Sequence, residues 1–154
     1  MSTGTTLTLH RILKAPRDLI YRCWTDAELL KPWFCPKPHS VTDAIVDPRP
    51  GGRFFTVMLV DGREYPNDGS YLHLDPGHRL VFTDLLGADW QPLAEPGLGF
   101  TAELILKDHA EGTDYTAIAR HRTADSAAAH EKMGFSEGWG TVASQLEAFA
   151  GTLK

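Results

Sequence analysis

Four side chains in this chain are of the type that moves protons: His121, His130, Asp84 and Glu131. An imidazole near a carboxylate can do general acid–base work close to neutral pH. His130 and Glu131 are adjacent, and neighbours on a helix point about 100° apart, so they cannot face each other. The pairings left open are His130 with Asp84 and His121 with Glu131, each across two elements. The plainer alternative is that these groups hydrogen-bond only to hold a helix over a sheet. Tyr71, Tyr115 and Asn67 are further polar contacts for a ligand. His73 and His78 flank a turn and read as surface residues. The seven histidines lack zinc spacing, and Cys23 and Cys35 have no recognisable neighbouring base. No Gly-x-Ser-x-Gly turn and no Gly-rich phosphate motif occurs, so catalytic residues stay unassigned beyond the four candidates.

Period-two patterning places these groups. Thr113 to Arg122 reads as a strand with Tyr115, Ala117, Ala119 and His121 on one face. The opposite parity would bury Arg120 unpaired, which costs several kcal/mol. Inward alanines leave volume beneath whatever covers them, and Tyr115 and His121 mark its ends. Phe54, Thr56 and Met58 share an inward parity, as do Phe100, Ala102, Leu104 and Leu106. The ligand-facing set is therefore Phe54, Met58, Tyr71, Phe82, Tyr115, Ala117, Ala119 and His121, with Met133, Phe135 and Trp139 from the covering helix. The competing expectation is that all of them pack as solid core.

The remaining elements follow from local signals. Leu7 to Leu13 alternates like a strand. Pro16 suits the first helical position, and Thr25-Asp26-Ala27-Glu28 has the form of a capping box with Trp24 and Leu29 as its staple. The second short helix should stop near Lys31, before Pro32. Strands are expected over Val41 to Val46, Phe54 to Val60, Gly69 to Leu74, Arg79 to Leu85 and Phe100 to Lys107, with Asp61-Gly62 as a hairpin turn. Trp90-Gln91-Pro92, in a long Pro/Gly loop, is either a lid on the pocket mouth or a surface anchor. A first terminal helix runs from about Asp125 to Gly134. A second, capped by Ser136, carries Trp139, Val142, Leu146, Phe149 and Leu153 on one stripe, with Ala143 and Ala150 widening it. Gly138 and Gly140 there mark either a close backbone approach or a frayed first turn. The sum is an α+β fold, a sheet on a long helix.

A chain of 154 residues fits one domain. A formal net charge of -5 with scattered Lys and Arg argues against a nucleic-acid partner. No apolar run is long enough for a membrane span and no secretory signal is visible, so the cytoplasm is the expected location. Neither metal nor cofactor is expected.

This order of elements resembles the helix-grip fold of the START-like superfamily (SRPBCC), in which a curved antiparallel sheet wraps a long C-terminal helix, with two short helices between the first two strands. Ala15-Pro16, Trp24-Thr25, Pro32-Trp33-Phe34, Pro50-Gly51-Gly52-Arg53-Phe54, Arg79-Leu80-Val81-Phe82-Thr83-Asp84 and the run from His130 to Gly140 look like one branch of it. That branch groups homologues of the heat-shock-chaperone ATPase activator with calicheamicin-resistance-like proteins. The resemblance covers about residues 7 to 150. It implies a small hydrophobic or aromatic ligand held between sheet and helix. Alternatively it implies a polyketide cyclase or aromatase using His and carboxylate groups. A co-chaperone-type interaction module is the weaker expectation, because the eukaryotic activator carries a separate N-terminal domain for which this chain has no room. Homodimerisation through sheet edges is left open.

Overall fold

Alternation of small or apolar residues with polar ones generates the central hairpin. In the computed structural model, which describes residues 4–153, β7 (Phe100–His109) and β8 (Gly112–His121) pair antiparallel across a two-residue turn. Thr113, Tyr115, Ala117, Ala119 and His121 are buried while the residues between them reach the surface. β1 (Thr6–Leu13) pairs on the other side of β8, with Leu9 opposite Ala117 and Leu7 opposite Ala119. β6 (Arg79–Thr83) and β5 (Ser70–Asp75) complete a five-stranded sheet in the order β1-β8-β7-β6-β5.

A second sheet places β3 (Phe54–Val60) between β2 (Ser40–Val46) and β4 (Arg63–Asn67). The sheets meet where Arg53 bridges Ser70 and Phe54 N donates to Gly69 O. β4 was not expected from the sequence. It is exposed throughout, so no burial pattern marks it, and Pro66 removes a donor from an edge strand.

The first three helices start within about one residue of the expected positions. Pro16 precedes α1 (Arg17–Thr25) as its cap rather than opening it. Asp26, not Thr25, caps α2 (Ala27–Leu30), accepting from Glu28 N and Leu29 N. The Thr25 hydroxyl instead donates back to Tyr21 O, which leaves the Asp26 carboxylate facing the free amides. α3 (Ala124–Lys132) is capped by Thr123, and the Ser126 hydroxyl donates to Leu98 O, docking α3 on the loop before β7.

Gly134, at φ +98°, ends α3 and also serves as the cap of α4 (Phe135–Ala150), so Ser136 lies within the helix rather than capping it. Sixteen residues span about 24 Å, enough to cross the sheet. Ala143, Leu146 and Ala150 are buried, with Trp139, Val142, Phe149 and Leu153 packed at the margin. Gly140 is a close-approach glycine, since a Cβ there would lie 2.9 Å from the Arg11 guanidinium on β1. Gly138 faces open space. This is the helix-grip arrangement, with a long C-terminal helix against antiparallel strands and two short helices after β1.

On the outer face Glu103 accepts from Arg79 at 2.6 Å and Arg120 at 2.9 Å. Burial works to raise its carboxyl proton affinity, but the two guanidinium bonds outweigh it and hold the group below its ordinary range. Arg120 thus finds its partner outside the core, as the parity requires.

The turn at Gly134 is testable. A Cβ would meet nothing within 4 Å there, so Gly134→Ala should cost only the backbone term, about 1–2 kcal/mol in guanidinium denaturation. Gly134→Asn should recover part of that loss, because Asn tolerates the left-handed region.

Candidate functional site

Aromatic residues from six elements, and from the segment after α2, converge on the inner face of the sheet. Trp24 lies 5.1 Å from Trp33, 5.4 Å from Phe34 and 5.8 Å from Phe82, measured between ring centres. Phe54 joins at 4.6 Å from Phe82 and 5.3 Å from Tyr71. Phe82 passes the array to Phe100 at 6.3 Å, and Phe100 reaches Trp139 at 6.0 Å. Phe135 and Trp139 close it at 4.6 Å. Such tilted and edge-on pairs each add about 0.5–1.5 kcal/mol beyond area burial.

Ala102, Ala117 and Ala119 are fully buried in the same cluster, Ala102 opposite Ala119 across the β7–β8 ladder. The volume that their short side chains leave is shared with those rings. Two hollows among the described residues lie elsewhere. One, of about 320 Å³, is bounded by Lys14, Arg17, Asp18, Asp108 and His109; the other, of about 560 Å³, follows the outer side of α4 past Lys37, Gln145 and Phe149.

The imidazoles pair with each other instead of with carboxylates. His121 Nε2 and His130 Nδ1 are 2.8 Å apart in a buried contact that ties the end of β8 to α3. His121 Nδ1 lies 3.1 Å from Thr5 O, and the His121 amide donates to the same oxygen. The His130 ring centre is 5.3 Å from Phe100, 5.2 Å from Phe135 and 5.9 Å from Trp139. His121 and His130 are only 7% and 6% exposed. Burial first, and the neighbouring His121 second, push the His130 proton affinity down to about 4.

Asp84 is not an acid–base group in this arrangement. Its Oδ1 accepts from Phe100 N at 2.8 Å and its Oδ2 from Gly99 N at 3.1 Å, so it fixes the start of β7. Glu131 is exposed on α3, directed away from both imidazoles by the helical rotation. Met133 also departs from expectation. It caps the C-terminal end of α3 and is 71% exposed, because the chain turns at Gly134 before its side chain can reach the sheet. Asn67 is exposed on β4. Trp90 is an anchor, its Nε1 donating to Tyr71 O at 3.0 Å and its ring lying beside Gly51.

Of the other expected lining residues, Phe54, Tyr71, Phe82, Tyr115, Ala117, Ala119 and Phe135 are buried, and Met58 and Trp139 are partly so. Tyr71 donates to Trp24 O at 3.3 Å. Burial raises the Tyr115 phenol far above its ordinary range, the adjacent Trp24 side chain pulling the other way. Trp24 Nε1 thus faces the Tyr115 phenol, although no hydrogen bond of full geometry closes there and it is, among the described residues, the buried side-chain polar atom left short of one. The sequence reading missed Trp24 as a polar group and counted it only as an apolar staple. Burial pushes the Cys23 thiol up to about 11 and also raises Cys35, which suppresses thiolate chemistry. No three His, Cys, Asp or Glu side chains converge as a metal site among the described residues.

The buried imidazole gives stability a pH dependence with a definite sign. The fold holds His130 neutral down to about pH 4, whereas its ordinary value is 6.5. Its contribution is therefore complete above the ordinary value and declines as pH falls toward the depressed one. Between about pH 7.5 and about pH 5 the loss should be roughly 2 kcal/mol in urea denaturation. His130→Phe keeps a ring in the cage, removes the titration, and should flatten that part of the profile.

The comparisons with known proteins place this geometry in a family. The family described as activator of Hsp90 ATPase homolog 1-like protein matches residues 14–151. A crystal structure of a Nitrosomonas europaea protein is 41% identical with a TM-score of 0.94, covering 99% of this chain and 97% of that one. One from Chromobacterium violaceum is 26% identical at TM-score 0.73, covering 93% and 95%. A Mycobacterium smegmatis protein is 25% identical at TM-score 0.82, covering 98% and 94%. A search of curated proteins finds no match. With one family spanning nearly all of the folded elements, and a relative of the same length superposing on them, the chain belongs to the activator of Hsp90 ATPase homolog 1-like family.

Proposed function

We propose that this protein binds a small aromatic or hydrophobic molecule between the five-stranded sheet and α4. The observation that carries this reading is Trp24 Nε1, a donor on a side chain only 3% exposed, whose contact with the Tyr115 phenol falls short of a full hydrogen bond. A buried donor so incompletely met gains from a ligand oxygen that completes its hydrogen bond. The alanine floor supports the same reading. Because Ala102, Ala117 and Ala119 occupy little of the inner volume, that volume is held by side-chain rings on neighbouring elements and not by the strands themselves. Phe100 and Trp139 are only partly buried at the α3–α4 end, which makes that end the natural entrance. Among the described residues, no helix is long and apolar enough to cross a membrane.

An enzymatic role of cyclase or aromatase type is supported by one observation, the neutral imidazole of His130 among aromatic rings. Neither Asp84 nor Glu131 assists it, so any acid–base step would fall to the two histidines alone.

Thermal-shift titration with naphthalene and 1-naphthaldehyde tests the binding reading. A ligand at a hundred times its Kd should stabilise the protein by about 2.7 kcal/mol, and the carbonyl-bearing probe should bind more tightly. Ala119→Leu, which fills the floor, should weaken both. Unchanged melting at saturating probe would rule the proposal out, as would undiminished binding by a folded Ala119→Leu protein.

A further inference from the structure

The hydrogen-bond chain through the two histidines fixes where their protons sit. Thr5 O is a carbonyl and can only accept, so His121 Nδ1 carries a hydrogen and donates to it. In a neutral His121 ring, Nε2 is then bare. The 2.8 Å contact requires a hydrogen between the rings, and it must come from His130 Nδ1. His130 Nε2 is bare in turn. It makes no hydrogen bond among the described residues, and it is not among their sealed polar atoms without partners, so it stands open to an incoming group. Phe100, Phe135 and Trp139 surround the ring, so whatever meets Nε2 does so beside three aromatic faces.

We infer that His130 Nε2 is the acceptor for an O–H group on the bound molecule, making the ligand class a phenol or enol on an aromatic frame rather than a plain hydrocarbon. This rests on the binding reading above and adds an orientation to it. The reverse proton order would make His130 Nε2 a donor and leave the Thr5 carbonyl facing a lone pair.

Two measurements decide it on the unmodified protein at about pH 8. Long-range proton–nitrogen NMR of the histidine rings should show His130 Nδ1 protonated and Nε2 bare; a protonated Nε2 overturns the inference, whatever binds. Calorimetric titration should then give 2-naphthol about five- to tenfold tighter binding than 2-methoxynaphthalene or naphthalene. His130→Phe should erase that preference while retaining naphthalene. Equal affinity for all three probes on the unmodified protein would overturn the inference and leave the binding reading standing. Binding of none would overturn both.

Discussion

Everything on the inner face depends on the register of one strand. β8 lies between β1 and β7, so its pairing is fixed from both sides along almost its whole length. A slip by one residue would turn Arg120 and Thr116 inward and put Ala117, Ala119 and His121 outside. It would also break the Arg120–Glu103 contact on the outer face. Two penalties therefore guard one arrangement, an unpaired cation within and the loss without of one of the two guanidinium partners of Glu103. The imidazole pair and the alanine floor are both consequences of that parity.

The parts of this molecule that are legible in its sequence are those with a short period. The alternation in β8 and the stripe from Trp139 to Leu153 each depend on neighbours a few residues apart, and both appear as expected. The partners of the chemistry-bearing residues depend on rotations that no local pattern encodes. His130 turns toward His121 because Thr123, Ser126 and Gly134 set the tilt of α3, and those contacts reach back to the loop before β7. Asp84 looks like a proton-transfer group in sequence, yet two backbone amides fifteen and sixteen residues away consume both of its oxygens. Met133 belongs in sequence with the large apolar groups of the covering helix, and the chain turns away at Gly134 before it can reach the sheet. Trp24 carries the reverse lesson: an indole in an apolar stretch gives no hint that its N–H will be buried against a phenol.

The inner face joins two kinds of chemistry that are usually kept apart. Stacked rings favour any flat apolar molecule and discriminate weakly among them. A bare imidazole nitrogen, as inferred for His130, would discriminate among them by hydrogen-bond sense, because a site built around a polar partner penalises an analogue that lacks it. Family membership accounts for the scaffold that holds these groups, but it does not dictate them, since one scaffold supports many chemistries.

The Thr5 carbonyl has a role out of proportion to its position. It lies just before the first strand, yet it orients an imidazole 116 residues further along the chain and, through that ring, a second one. The amino-terminal stretch thereby becomes part of the electronic wiring of the inner face. Whatever shifts that stretch by an ångström would rewrite which nitrogen is basic at the far end of the relay.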